Sequence, residues 1–274
     1  MLLPPTCNPG PPGYAPGMAA AYLPMIDVLE QTLRSTEQVG STLSEAEWKL
    51  PTECPGWTVQ DVVSHLVGFE LAIMGEPTPE HELPDGLGHL RNDTTRRLEL
   101  PVDLRRSWPG SAVLAEFSAV IDRRLRQLRE LAASGADPEV DSQIWGPRPL
   151  SRLMPTRVFD AWAHEQDIRR ATGRTGGLDS PAAQLTCEFL TRALPYMVSR
   201  AGLPEGTVVR FEVTGPLRIE QTVGEGQPQI TLRMDWETFV RLACGRVHPD
   251  LAKVAADGDP DQVRSLLAAL AVTP

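Results

Sequence analysis

The sequence predicts an α+β protein built in two parts, a four-helix bundle followed by a small α+β domain. Three observations carry this. Up to about residue 175 the apolar residues recur at helical spacing in four separate segments. Beyond Gly176-Gly177, three runs alternate in the manner of half-buried strands. The length of 274 residues also exceeds the roughly 100–150 most common for one domain. The expected division is a leader over 1–17, a bundle over 18–175 and an α+β domain over 176–274.

Residues 1–17, MLLPPTCNPGPPGYAPG, are too rich in Pro and Gly for a regular element and are expected to form a flexible leader. From Met18 to about Val39, the residues Leu23, Ile26, Leu29 and Leu33 follow a helical period with Asp27, Glu30 and Arg34 between them, which predicts the first helix. A rigid turn with Pro51 and Pro55 comes next. Thr58 then stands as an N-cap with Asp61 at the third helical position, opening a helix to about Met74 whose buried stripe is Val62, Leu66, Phe69 and Ile73. Loop and turn residues continue to about Pro109, and Ser111 to Ala133 reads as the third helix through Val113, Leu114, Phe117, Val120, Ile121, Leu125, Leu128 and Leu131. After an irregular stretch from Ser134 to Met154, the fourth helix starts with Pro155 in its first turn and ends near Gly173. Ser180-Pro181 opens a helix to about Arg200, and the strand-like runs are Thr207–Val213, Leu217–Val223 and Gln229–Met234. Asp235 caps a helix over Trp236–Cys244, and Asp259-Pro260 starts the last one.

The formal net charge is −10 and the isoelectric point is near 5.0, which argues against partners such as nucleic acid or anionic membrane, since both need clustered Lys and Arg. The longest basic run, Asp122-Arg123-Arg124-Leu125-Arg126, has helical spacing and reads as a solvated face. Cys7, Cys54, Cys187 and Cys244 are scattered without a short paired spacing, so neither a zinc ribbon nor a disulfide framework is suggested, and a reducing cytoplasm fits best. No run reaches the roughly 18 apolar residues of a membrane span, and the N-terminus lacks the basic start and apolar core of a signal peptide. No internal repeat, glycine-rich phosphate loop or nucleophile elbow occurs.

The candidate chemistry lies in Phe159-Asp160-Ala161-Trp162-Ala163-His164-Glu165-Gln166-Asp167-Ile168-Arg169-Arg170. Asp160 and His164 are four apart, so on a helix they share a face and can hold two corners of a metal site; the same spacing also suits a simple surface hydrogen bond. A third ligand has to come from elsewhere. His65 is the other histidine in a helical segment, where a satisfied core histidine is the ordinary alternative; His81 and His89 fall in or beside the Pro/Gly-rich loop, and His248 precedes a proline.

Pro51-Thr52-Glu53-Cys54-Pro55-Gly56-Trp57-Thr58-Val59 with Asp61-Val62-Val63-Ser64-His65-Leu66, and Asp160-Ala161-Trp162-Ala163-His164-Glu165-Gln166-Asp167-Ile168-Arg169 about a hundred residues later, resemble the actinobacterial maleylpyruvate isomerase family of mycothiol-dependent enzymes. The resemblance extends over nearly the whole chain beyond the leader. It implies a DinB-like four-helix bundle holding a divalent metal, usually zinc, through a histidine on the second helix and a carboxylate-x-x-x-histidine on the fourth; those positions are His65, Asp160 and His164. The isomerase prototype carries Glu at the carboxylate position and this chain the shorter Asp, which leaves the named reaction open. Arg241-Leu242-Ala243-Cys244-Gly245-Arg246 and Gly258-Asp259-Pro260 resemble the family's C-terminal α+β domain, itself similar to sterol-carrier proteins. The prototype uses an arginine of that domain. Arg210, Arg218 and Arg233 lie on predicted strands here, and none is assigned the role.

Two imidazoles and one carboxylate are the set expected when zinc keeps an open position for water or substrate, since structural zinc is usually closed by four protein ligands. The resemblance implies that mycothiol fills that position as thiol cofactor or cosubstrate, acting with a small electrophilic molecule. Reversible addition of the thiolate to a double bond would give cis/trans isomerisation; retention would give S-transfer. A hydrolase using zinc-bound water and a non-catalytic carrier are the alternatives. Asp167 and Glu165 are candidates to orient a ligating histidine, with pairing of Asp167 to Arg169 or Arg170 as the plainer role. None of the chain's cysteines is expected to be the nucleophile. A monomer or small homo-oligomer is expected.

Overall fold

The computed structural model describes residues 19–144 and 146–273; the expected leader, with Cys7, lies outside them. The chain divides into two compact units, one closing at Gly176 and the other opening at Gly177. The architecture is α+β, as the periodicities require.

The first unit runs α1 (Ala19–Gly40), α2 (Glu45–Trp48), α3 (Val59–Ile73), α4 (Asp93–Asp103), α5 (Gly110–Ser134), the hairpin β1 (Glu139–Asp141) and β2 (Pro147–Pro149), and α6 (Leu150–Thr172). Helices α1, α3, α5 and α6 are the four expected. Their stripes close one core, with Ile26, Leu29 and Leu33 of α1, Val62 and Leu66 of α3, Phe117, Ile121 and Leu128 of α5, and Val158, Trp162 and Ile168 of α6 all buried. Leu23 is an exception at 45% exposed; its neighbour Tyr22 takes the inward place and donates its hydroxyl to the Ala136 carbonyl at 2.6 Å.

Three expectations need correction. The stretch between α3 and α5 is not all loop, because α4 forms there, capped by Asn92, whose side chain accepts from the Thr95 amide at 3.0 Å. Its polar sequence and internal Pro101 hid it. Proline removes one backbone donor, but here its ring packs on α3: a Cβ on Gly68 would come within 2.3 Å of Pro101 Cβ, so the glycine is what lets α4 lie close. Helix α6 also begins at Leu150 rather than Pro155, since Leu150, Leu153 and Met154 are fully buried and extend its apolar side through the proline. Finally, Arg124 of the basic run is not solvated. It is fully buried and donates from Nε to Glu70 at 3.0 Å.

The second unit runs α7 (Pro181–Arg200), β3 (Val209–Thr214), β4 (Ile219–Val223), β5 (Ile230–Asp235), α8 (Trp236–Ala243), a 3-10 turn (Pro249–Leu251), β6 (Ala255–Asp257) and α9 (Pro260–Ala269). The sheet order is β4-β3-β5-β6, with β3 and β5 parallel and the other pairs antiparallel. Strand β6 is additional to the three expected. Alternation sends Val209, Phe211, Val213 and Leu232 inward. Arg210 and Arg233 on the other face both pair with Glu212, at 2.6 and 2.8 Å, and Arg233 also reaches Asp257 at 2.7 Å. Arg218 stands just before β4 rather than on a strand. No helix among the described residues is long and apolar enough to cross a membrane.

Candidate metal centre

Helix α3 is registered by its N-terminus. The Thr58 hydroxyl accepts from the Asp61 amide at 3.3 Å while the Asp61 carboxylate accepts from the Thr58 amide at 2.9 Å, the expected capping box. That start sets His65 two turns into the helix, 3% exposed and facing α6. Helix α6 brings Asp160 and His164 one turn apart on the side facing α3. His65 Nε2 lies 3.6 Å from Asp160 Oδ2, and His164 Nε2 lies 3.6 Å from Asp160 Oδ1. The three side chains thus converge, with one donor atom from each within 4.8 Å of the others, and they are the one such group among the described residues.

The two imidazoles are treated differently by their surroundings. His164 Nδ1 is 3.1 Å from Asp167 Oδ2, which turns its Nε2 toward the triad. Asp167 also accepts from Arg170 at 2.9 Å, the plainer pairing expected from sequence. Neither ring nitrogen of His65 has a hydrogen-bond partner among the described residues. Burial lowers the His65 pKa more than neighbouring Asp160 raises it, which keeps the imidazole neutral. Burial alone would raise the carboxyl of Asp160, but the positive charge of Arg157, helped by His164 and His65, outweighs that and holds it well below the usual carboxylate range. A neutral, orphaned imidazole beside an anionic carboxylate is the protonation state a cation requires. Glu165 is not an orienter: its carboxylate accepts from Ser35 at 2.6 Å and from Arg169 at 2.8 Å.

Sequence reasoning missed two features of the surroundings. Trp57 packs its ring against both histidines, with centroids 4.9 Å from His65 and 5.9 Å from His164, and donates its indole N–H to buried Glu99 at 2.9 Å. The turn that presents it is tight. Trp57 accepts from the Thr52 amide at 2.9 Å, and Gly56 takes φ +80 where a Cβ would lie 2.5 Å from His89 Nδ1. The second feature is charge behind the carboxylate. Arg157, 1% exposed, donates to Asp160 Oδ2 at 2.8 Å and to Glu70 at 2.8 and 3.1 Å, with Arg124 on the other Glu70 oxygen. A cavity of about 240 Å³ between α3 and α4 reaches His65, its walls including Gly68, Phe69, Leu98, Pro101 and Arg97.

Residues 29–169 match the Mycothiol maleylpyruvate isomerase N-terminal domain, and residues 180–264 match the MDMPI C-terminal domain. The chain belongs to the mycothiol maleylpyruvate isomerase family. Among solved structures, the chain is similar to a crystal structure of the mycothiol-dependent maleylpyruvate isomerase, at 17% identity and TM-score 0.56 over 85% of this chain and 91% of that one. A histidine-to-alanine mutant of that isomerase is similar at 18% identity and TM-score 0.56, over 85% and 92%. At these identities the likeness supports the fold. No curated protein matches the sequence. The family's N-terminal domain is therefore the one that carries His65, Asp160 and His164.

Proposed function

We propose that the chain is a metal- and thiol-dependent enzyme in which His65, Asp160 and His164 hold a divalent metal, most simply zinc. Mycothiol would serve it as cofactor or cosubstrate for isomerisation or S-transfer on a small electrophilic molecule. The observation that carries the reading is the convergence of the buried His65 imidazole, which has no hydrogen-bond partner among the described residues, with half-buried Asp160 and buried His164. The spacing suits a metal in scale: one donor atom from each residue lies within 4.8 Å of the others, and each imidazole is 3.6 Å from one of the two Asp160 oxygens, against roughly 3.3 Å between neighbouring donors bonded at about 2.0–2.1 Å to one zinc. When bound, a metal with three protein ligands would supply an open Lewis-acid position at which an external thiol is held as its thiolate.

The remaining work falls to the chain. Asp167 fixes the His164 ring so that Nε2 serves as the donor. Trp57 covers both imidazoles with an apolar wall and limits water around them. The cavity beside His65 offers a substrate room next to the site. Cys54, Cys187 and Cys244 form no disulfide among the described residues, none belongs to the converging group, and burial pushes the Cys187 thiol up, which favours an external thiol over an internal nucleophile.

The test is calorimetric titration of metal-loaded protein with mycothiol, and with glutathione as control, in two buffers of different ionisation enthalpy. Mycothiol binding with proton release near neutral pH is the expected result. Binding of neither thiol by a metal-loaded protein would transfer the proposal to the zinc-water hydrolase or the carrier.

A further inference from the structure

Asp160 is not shared evenly between its neighbours. Arg157 donates to Oδ2 at 2.8 Å, the oxygen that also lies 3.6 Å from His65 Nε2, while Oδ1 has no hydrogen-bond partner among the described residues and faces His164 Nε2 at 3.6 Å. Arg157 is itself held. Its Nε and one terminal nitrogen both donate to Glu70 Oε1, its guanidinium lies over the Phe69 ring at 4.0 Å, and Arg124 secures the other Glu70 oxygen from α5. All three of these side chains are at most 1% exposed. The arrangement therefore costs a large desolvation, for which an apolar cluster would serve stability as well or better. Its geometry ends on one particular oxygen of one proposed ligand.

We propose that Arg157, braced by Glu70 and Arg124, is a positioning residue that makes Asp160 a one-oxygen, charge-depleted ligand and so trades metal affinity for electrophilicity. The inference rests on the metal reading above. Two positive and two negative side chains cancel within the cluster, so a bound divalent ion keeps its full charge for an anionic partner from outside. Loss of an orienting group typically weakens a metal site by about 10–100-fold. A unit charge within a few ångströms of a divalent ion outweighs that at the effective dielectric of a protein interior. Removing Arg157 is therefore expected to tighten metal binding, the reverse of what a merely structural role would give.

Cobalt(II) titration of metal-free wild type, Arg157→Met, Arg124→Met and Arg157→Lys tests this, with affinity read by chelator competition and coordination by the visible absorption band. Arg157→Met should bind cobalt at least about tenfold tighter, because the lost repulsion exceeds the lost orientation. Its band should also weaken as Asp160 turns bidentate and the coordination number rises. Arg124→Met removes a charge that touches Glu70 and not Asp160, so it should tighten binding by clearly less than Arg157→Met does and leave the band unchanged. Arg157→Lys keeps the charge but cannot span Glu70 and Asp160, so it should weaken the band with near-wild-type affinity, and it decides the matter if the Met variant does not fold. Weaker or equal binding in Arg157→Met, or an unchanged band in either Arg157→Met or Arg157→Lys, overturns the inference alone. A wild type that binds no cobalt overturns it together with the metal reading.

Discussion

Replacement of Glu70 by Gln tests whether the buried charge cluster is held together as described. The change is nearly isosteric, but it leaves Arg124 and Arg157, both at most 1% exposed, with Asp160 as the nearest counter-charge to one of them. Breaking a buried ion pair from one side costs about 3–5 kcal/mol because the partner stays buried and unpaired. For a unit of this size, that corresponds to a melting temperature lower by roughly 6–20 °C. Adding Arg124→Met should recover about half of the loss or more, since the double variant restores charge balance through Arg157 and Asp160, and residues of one network are expected to couple in this way. Calorimetric melting gives the magnitude, and amide exchange across α3, α5 and α6 assigns it to the first unit. A single variant that loses less than about 1 kcal/mol, the size of an ordinary substitution, would refute the claim that Glu70 is the anion on which both guanidiniums depend.

Three further outcomes are expected. His65 has its pKa lowered below the ordinary 6.5 by burial, so the unfolded chain binds a proton that the folded one refuses; stability of the metal-free protein should be full above about pH 7 and fall as the pH drops through 6.5, measured by urea denaturation from pH 7.5 to 5. A flat profile would contradict the neutral imidazole. In the thiol-dependent assay, Cys54→Ser should keep most activity while His164→Ala loses about a hundredfold or more, and equal losses would return the cysteine to candidacy. Limited proteolysis should cut within about residues 174–180, at the Gly-rich joint between the units, and cleavage confined to the bundle would count against two independently folding domains.

What could be read in advance follows physical range. The Thr58–Asp61 box is a contact over three residues and was legible, as were the apolar stripes, because periodicity registers a buried face wherever it packs. Asp160 and His164 were legible as a pair from one turn of helix, and His65 joined them only through the resemblance, since no local signal says which histidine meets another helix. Arg124 read as solvated because an arginine's burial is decided by what faces it, and Glu70 and Arg157 are 54 and 33 residues away in sequence. Trp57 was visible as part of a motif, but its service as a wall over two histidines depends on a turn closed by the Thr52 to Trp57 bond and buttressed by His89 against Gly56. Helix α4 was hidden for a similar reason. It packs closely on α3 where Pro101 meets Gly68, two residues that each argue against helix when read alone.

The most direct measurement is metal content by elemental analysis of protein purified without added metal, for wild type beside His65→Ala and His164→Ala. The account predicts about one divalent ion per wild-type chain, most simply zinc, and substantial loss in both variants, because three ligands leave no redundancy in the site. Unchanged metal content in both variants would contradict the assignment of His65, Asp160 and His164.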